Sequence, residues 1–181
     1  MHGIDPDLLA RCRRREESAF DRLYDAFGPS VWRVCRRMAG NDADAEDLAQ
    51  DVWVTVWQAV PGFRCESAFS TWLYRIASNT CLQWLRKRKG GRETALDEAA
   101  TATSENPASI VANKQRVRSL VAAVNSLPPT LTMPLALRVD EGLSYAEIAE
   151  ALGCSIAAVK MRIRRARAIL AGMLEDETDE H

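Results

Sequence analysis

A small, polar stretch divides this sequence into two blocks of helical pattern. The stretch GGRETALDEAATATSENPAS fills residues 90–109 and shows no periodicity. On either side of it, apolar residues recur every three or four positions, and no segment shows sustained strand alternation. We therefore predict an all-α protein in which residues 90–112 form a flexible acidic linker between two small helical domains, residues 1–89 and 113–174. An acidic tail, residues 175–181, follows the second domain.

The first block is expected to hold three or four helices, enough for a small bundle. Its first apolar stripe covers residues 19–38, and Gly28–Pro29–Ser30 is predicted to interrupt it. The next helix is predicted to begin with Asp42 or Asp44 as its cap and to stop at Pro61–Gly62. A loop then leads to a helix from about Ser70 that ends in a run of four cations.

The second block contains the pattern of a helix-turn-helix. Ser144 and Glu147 are spaced as a capping box, Gly153 supplies a turn, and Ser155 can cap the following helix. Before this motif, a helix is predicted from about residue 130 to 140, with Pro134 near its first turn. The second helix of the motif has a buried stripe, formed by Val159, Ile163, Ala166 and Leu170, and an opposite face rich in cations. Such a helix presents its N-terminal half to base edges while its cations meet phosphates, so DNA binding is favoured over a solvated basic face.

Charge and composition exclude several other classes of protein. The formal net charge is −1, but residues 113–174 carry nine basic and four acidic residues, whereas residues 175–181 carry five acidic residues and no Lys or Arg. The five cysteines are scattered without a C-x-x-C pair and only two histidines occur, which argues against disulfides, a metal site and acid–base catalysis. We expect no enzyme activity, no cofactor, no metal and no small-molecule substrate. Without an apolar run long enough to span a bilayer, we expect a cytoplasmic protein that does not insert into the membrane.

The helix-turn-helix by itself leaves a repressor, a response-regulator output domain and a polymerase subunit open. The first block separates these readings, because FSTWLYRIASNTCLQWLRKRK interleaves aromatic rings with cations. Aromatic faces stack on unpaired bases while nearby cations hold the backbone, although most of these rings are expected to be core. The loop at residues 62–69 is a better candidate for a pocket that takes an extruded base.

Three stretches carry a resemblance to a known family: NDADAEDLAQDVWVTVWQAVPGFRCESAFSTWLYRIASNTCLQWLRKRK, SLPPTLTMPLALRVDEGLSYAEIAEALG and CSIAAVKMRIRRARAIL. In order and spacing the chain resembles an extracytoplasmic-function (ECF) sigma factor of bacterial RNA polymerase. The resemblance implies core RNA polymerase and promoter DNA as partners, an anti-sigma factor as regulator, and strand opening by capture of a −10 base. A stand-alone operator-binding regulator and an anti-termination or scaffold protein remain the rival hypotheses, but neither needs the basic, aromatic helix of the first block.

The resemblance also implies roles for individual residues. The contact to core polymerase falls on Asp47, Gln50, Asp51 and Trp53. Recognition and opening of the −10 element falls on Phe63, Arg64, Glu66, Ser67, Phe69 and Asn79, with promoter phosphates met by Arg86, Lys87, Arg88 and Lys89. The −35 element would be faced by Lys160, Met161, Arg164 and Arg165.

The sequence departs from the family pattern at three places. Met161 stands where a small polar residue is common, which puts the base preference there in question. The helix start at residues 130–134 contains a proline and lacks the usual charges, which would weaken contacts to the polymerase flap. Cys65 stands where glycine is common, which would stiffen the loop before the aromatic helix.

Overall fold

We analysed a computed structural model that describes residues 4–88, 123, 124 and 126–179. Within these ranges all regular structure is helical, which confirms the predicted class. The helices are α1 (Pro6–Arg13), α2 (Glu17–Ala39), α3 (Asp42–Ala59), a 3₁₀ turn (Val60–Gly62), α4 (Phe69–Arg88), α5 (Pro129–Val139), α6 (Tyr145–Leu152) and α7 (Ile156–Asp179). The predicted linker and the end of the tail lie outside the described residues, so the predicted domain boundaries remain predictions.

The predicted break at Gly28–Pro29 is wrong, because α2 continues through both residues as one helix of 23 residues. Proline removes one i→i−4 hydrogen bond and usually breaks a helix. Here Phe27 and Val31 are buried on either side of it, so packing holds the two halves in line. The ring of Tyr24 lies against Gly28, where a β-carbon would come within 3.4 Å of it.

Two further details of the first block differ from expectation. Residues 6–13 form a helix, α1, that we did not predict; it buries Leu8, Leu9 and Cys12 against α2. The cap of α3 is Asn41, not Asp42 or Asp44, because its side chain accepts from the Asp44 backbone N–H at 2.9 Å. An asparagine carbonyl is as good a cap as an aspartate, so composition could not choose between neighbouring candidates.

The helix before the helix-turn-helix starts one residue earlier than predicted, at Pro129. Pro134, which we predicted near the first turn, therefore lies inside α5, in its second turn, and is buried. The bond from position 134 to the Thr130 carbonyl is lost, yet burial of Leu131, Met133 and Leu137 keeps the helix intact. The apolar stripe predicted at residues 117–124 lies mostly outside the described residues, and Ala123 and Val124 are helical.

The two blocks pack against one another. In the first, α2, α3 and α4 bury one core that includes four aromatic rings in mutual contact, those of Phe27, Phe63, Phe69 and Trp72. In the second, α5 and α6 pack on α7. Across the boundary α5 lies against α2, and α6 lies against α4, so that the buried residues of both blocks form one continuous cluster.

Candidate nucleic-acid and protein interfaces

The helix-turn-helix forms as the sequence predicts. The Ser144 hydroxyl accepts from the Glu147 backbone N–H at 3.2 Å, and the Glu147 carboxylate accepts from the Ser144 N–H at 2.8 Å. Gly153 ends α6 with a φ of 60°, a left-handed conformation that glycine adopts without strain. Ser155 then caps α7 by accepting from the Ala158 N–H at 3.1 Å. These contacts fix the angle at which α7 leaves the domain.

The N-terminal half of α7 presents the predicted DNA-facing side chains to solvent. Val159, Ile163 and Ala166 are buried on the side that faces α5 and α6, whereas Leu170 is only half-buried. The opposite side exposes Lys160, Met161, Arg164 and Arg165. Met161 is 64% exposed, which is unusual for a large apolar side chain and leaves it free for contact with a partner.

The ammonium group of Lys160 is held beside an aromatic ring. Its Nζ lies 5.8 Å from the ring centroid of Tyr145 on α6, close enough for a cation–π contact. The guanidinium of Arg138 lies over the same ring at 4.9 Å. The Tyr145 ring therefore limits the positions that Lys160 can take at the edge of this face.

Three of the four residues predicted to contact core polymerase lie along one exposed face of α3. Asp47, Gln50, Asp51 and Val54 are all exposed and follow one another along the helix, as their spacing predicts. Trp53 belongs to the same prediction but is only 7% exposed. Its ring packs on those of Phe20 at 5.7 Å and Tyr24 at 5.1 Å, so it supports the strip from below.

The loop between the 3₁₀ turn and α4 divides its predicted residues between core and surface. Arg64 and Glu66 are exposed and Ser67 is half-buried. Phe63 and Phe69 are 5% and 3% exposed, and their rings meet at 5.6 Å inside the aromatic core. In this conformation both rings anchor the two ends of the loop and offer no face to a base.

Cys65 adopts a backbone conformation that favours glycine. Its φ is 59°, in the left-handed region where a β-carbon clashes with the backbone. The family resemblance places glycine at this position, and the structure supplies the physical reason. The thiol itself is exposed, and all five cysteines of the chain are free.

Helix α4 leads from this loop toward the cationic cluster. Asn79, Arg86 and Lys87 are exposed on it, and Lys89 lies outside the described residues. Arg88 is held by two neighbours, since it pairs with Asp44 and lies 5.0 Å from the ring centroid of Trp84. The hydrogen bond from Asn41, followed by that from Arg88, lowers the pKa of Asp44. A phosphate reaching Arg88 would have to replace this carboxylate.

A polar cluster that the sequence did not reveal joins the two blocks. The Glu141 carboxylate accepts two hydrogen bonds from Arg33, both at 3.0 Å, and one from the Tyr74 hydroxyl at 2.8 Å. One helical turn along α2, Arg37 donates to Asp140 at 3.0 and 3.3 Å. The partners are separated by 67 to 108 residues, so no local pattern could have identified them.

Burial of this cluster changes the acid strength of its members. Desolvation, followed by the hydrogen bond to Glu141, raises the pKa of Tyr74, so its hydroxyl remains a donor. The hydrogen bond to Glu141 also raises the pKa of Arg33, which keeps the guanidinium charged. Both groups therefore keep their protons and remain donors over the whole physiological pH range.

Neither a metal cluster nor a transmembrane segment is found in the described part of the chain. Among residues 4–88, 123, 124 and 126–179, no group of three His, Cys, Asp or Glu side chains could hold a metal ion. Across the same ranges, no helix has the length and apolarity needed to cross a bilayer.

Comparison with known proteins identifies the two blocks. Residues 23–90 match the family model of sigma-70 region 2, and residues 118–170 match that of sigma-70 region 4. The ECF RNA polymerase sigma factor SigW of Bacillus subtilis is 31% identical over 93% of this chain and 95% of its own length. The chain belongs to the ECF sigma factors. It is a non-catalytic subunit that binds core RNA polymerase and directs it to promoters.

Other relatives agree with this assignment. SigE of Mycolicibacterium smegmatis is 34% identical over 90% of this chain, which spans 64% of that longer relative. Among solved structures, CnrH in complex with the cytosolic domain of CnrY aligns over 93% of this chain and 96% of its own, with a TM-score of 0.68 and 25% identity. The Bartonella quintana sigma factor RpoE, in complex with the anti-sigma factor NepR, shares the fold with a TM-score of 0.66 and 23% identity over 86% of this chain and 96% of its own.

Proposed function

We propose that this sigma factor binds core polymerase through the acidic strip on α3, formed by Asp47, Gln50, Asp51 and the exposed Val54. Two observations support this assignment. The strip is exposed, and it lies on a different helix from the cations of α4 and α7. Trp53 contributes by holding α3 on α2, since its ring is buried. Negative charge on the strip selects a basic partner surface and repels DNA.

The −10 element meets the loop before α4 and the exposed side of that helix. Arg64, Glu66, Ser67 and Asn79 reach the bases, and Arg86, Lys87, Arg88 and Lys89 meet phosphates. Phe63 and Phe69 set the shape of the loop from inside the core. Capture of an extruded base here offsets an unstacking cost of a few kcal/mol.

The −35 element is read from the major groove by the N-terminal half of α7. Arg164 and Arg165 can donate to base edges and phosphates, and Lys160 supplies a third cation at the edge of the face. Met161 lies among them and has no strong donor, so we assign it a van der Waals contact, such as that with a thymine methyl group.

The protein acts in the cytoplasm, where core polymerase and promoter DNA are found. An anti-sigma factor holds it inactive until a signal arrives. Support for this regulator comes from the related fold of RpoE, which was solved with its anti-sigma factor NepR. A stand-alone regulator would not need the acidic strip, because it binds its operator without polymerase.

The cationic face of α7 and the acidic strip of α3 are separate, exposed surfaces of different helices. Substitutions on them should therefore have separate effects in transcription from a cognate promoter with reconstituted holoenzyme. We expect Arg164→Ala to lower −35-dependent initiation by about 5- to 150-fold, the equivalent of ~1–3 kcal/mol, and to leave core binding unchanged. Asp51→Lys should weaken core binding, and its initiation defect should disappear when core polymerase is present in saturating excess.

Arg22→Ala is the matched control, because Arg22 is an exposed cation of α2 that lies outside both surfaces. It should leave initiation and core binding within about twofold of wild type. Equal loss of both functions in Arg164→Ala, or tight promoter-specific DNA binding that needs no core polymerase, would refute the assignment.

A further inference from the structure

The contact between the two domains is centred on one buried carboxylate. The side chain of Glu141 is 3% exposed, and its three hydrogen bonds come from two different helices of region 2, Arg33 of α2 and Tyr74 of α4. A carboxylate this buried is costly unless its charge is paired and its oxygens accept hydrogen bonds. Here both conditions are met, and all the donors belong to the other domain.

The acceptors are presented by a rigid end of α5. Gly142 has a φ of 68°, and the Leu143 N–H returns to the Leu137 carbonyl at 3.1 Å, which closes the helix as a left-handed C-cap does. Arg138 donates to the Leu143 carbonyl at 2.7 Å and braces the same turn. The carboxylates just before Gly142 are therefore positioned by region 4 itself, before any contact with region 2.

The donors form a matching row on region 2. Arg33 and Arg37 are one helical turn apart on α2 and meet Glu141 and Asp140, so the two ion pairs run in register. Arg33 is braced by its own neighbour, since it also donates to the Ser30 hydroxyl at 2.8 Å. Helix α6 packs on α4 and α5 packs on α2 beside the pairs, and this packing covers the Glu141 side chain while Arg33 and Arg37 stay partly exposed.

We propose that Arg33, Tyr74 and Glu141, together with the Arg37–Asp140 pair, form an interdomain latch that holds the free sigma factor in a closed state. The latch leaves the DNA-facing side chains exposed: Asn79, Arg86 and Lys87 on α4, and Lys160, Arg164 and Arg165 on α7. The latch keeps the two promoter-reading surfaces close to one another and covers neither of them.

That distance is incompatible with simultaneous promoter contact. The −35 and −10 elements are centred about 25 base pairs apart, or roughly 85 Å of B-DNA at ~3.4 Å per base pair. A compact chain of this length has a radius of gyration of about 16 Å and spans on the order of 40 Å. Because both surfaces cannot reach their elements while the latch is closed, binding to core polymerase must open it. The closed fraction therefore reduces the apparent affinity for core polymerase.

The first test measures the distance between the domains in the free, full-length protein. Donor and acceptor dyes are attached through unnatural amino acids at Gln58 and Ala168, which are both exposed, and single-molecule energy transfer is recorded. In the wild type we expect a main, narrow, high-transfer population and a minor open one of about a tenth to a third of the molecules. Arg33→Glu places like charges together and should give a broad, low-transfer population. The charge swap Arg33→Glu with Glu141→Arg should restore the closed population at least in part.

Arg22→Glu is the matched control, because it reverses an exposed charge on the same helix away from the latch. It should leave the energy transfer unchanged. Circular dichroism confirms that each variant keeps its helices. The latch is refuted if the wild type is already open, or if Arg33→Glu gives the same distribution as the wild type.

The second test asks whether the latch limits polymerase binding, and this half of the proposal rests on the protein's role as a sigma factor. With unlabelled protein, Arg33→Glu should bind core polymerase about 3- to 10-fold more tightly, because the closed fraction no longer lowers the competent population. A variant that opens by energy transfer but binds core polymerase no better overturns the gating role. Core binding by the wild type tests the sigma function separately.

Discussion

At the scale of single residues, Cys65 shows that the surrounding packing can impose a backbone conformation that the residue itself disfavours. The loop needs a left-handed φ of 59° there, and a non-glycine residue pays about 1–2 kcal/mol for it. The anchoring of Phe63 and Phe69 in the core imposes this conformation from both sides. The strain is therefore located in the segment that we assign to −10 recognition.

Cys65→Gly should stabilise the protein by about 0.5–1 kcal/mol. Removing the β-carbon relieves the left-handed strain, and the greater freedom of glycine in the unfolded chain offsets part of the gain. Urea unfolding followed by tryptophan fluorescence, under reducing conditions, measures the difference. Cys65→Ala is the control, since it removes the thiol and keeps the β-carbon. Equal stabilisation by both variants would show that the thiol, not the backbone, is responsible.

At the scale of elements, the sequence predicts what local chemistry decides. The caps and the turn of the helix-turn-helix depend on contacts between residues at most one helical turn apart. The motif could therefore be predicted from Ser144, Glu147, Gly153 and Ser155. The predicted break at Pro29 was wrong, and Pro134 lies one turn further into its helix than the first turn. In both places burial of the neighbouring residues outweighs the local cost of proline. In the candidate site, spacing predicted the exposed strip of α3 and the exposed face of α7. Phe69 is buried, as we expected for most rings of its stretch. For Phe63 and Trp53, which are buried too, spacing could not decide, because aromatic residues have the same helical period in a core as at a surface.

The capping box of α6 makes the stability of region 4 depend on pH. Hydrogen bonds from the hydroxyl and backbone N–H of Ser144 lower the pKa of Glu147 in the folded state. A lowered folded pKa means that the stabilisation is present above the unfolded pKa of ~4.3 and is lost as the pH falls through the folded value. We expect Glu147→Gln to cost about 0.5–1 kcal/mol at pH 7, and this difference should shrink as the pH falls below the unfolded pKa of ~4.3 toward the lowered folded value.

Urea unfolding by far-ultraviolet circular dichroism at several pH values between 7 and 3.5 tests this dependence. Glu150→Gln on the same helix is the control, because the Glu150 side chain is exposed and forms no part of the capping box. It should stay within about 0.5 kcal/mol of wild type at every pH. A cost of Glu147→Gln that is the same at both ends of the range would contradict the linkage.

At the scale of the whole molecule, we expect the latch to couple region 2 and region 4 so that they unfold in one cooperative transition. Region 2 and region 4 each have their own capped helices, yet their buried residues form a continuous cluster across the boundary. Breaking the buried pair at Glu141 leaves an unpaired charge in that boundary, which favours separation of the domains over closure. The charged side chains of the latch add to this apolar contact, and their contribution to the coupling can be removed without touching either core.

The distribution of tryptophan makes this coupling measurable. Trp32, Trp53, Trp57, Trp72 and Trp84 are the only tryptophans of the chain, and all lie in region 2. Fluorescence therefore reports the unfolding of region 2, whereas far-ultraviolet circular dichroism reports the helices of both domains. Coincident transitions from the two probes indicate a single cooperative unit. In the wild type we expect the two urea midpoints to coincide.

In Arg33→Glu the two midpoints should separate by about 0.5–1 M urea, since a loss of ~1–2 kcal/mol of coupling is divided by a slope of ~1–3 kcal/mol/M. The circular dichroism curve should then show two steps, of which only one has a counterpart in fluorescence. Arg22→Glu should keep the midpoints together, and the charge swap with Glu141→Arg should bring them back toward one another. Coincident midpoints in Arg33→Glu would mean that apolar packing of α5 on α2 and of α6 on α4 couples the domains without the latch.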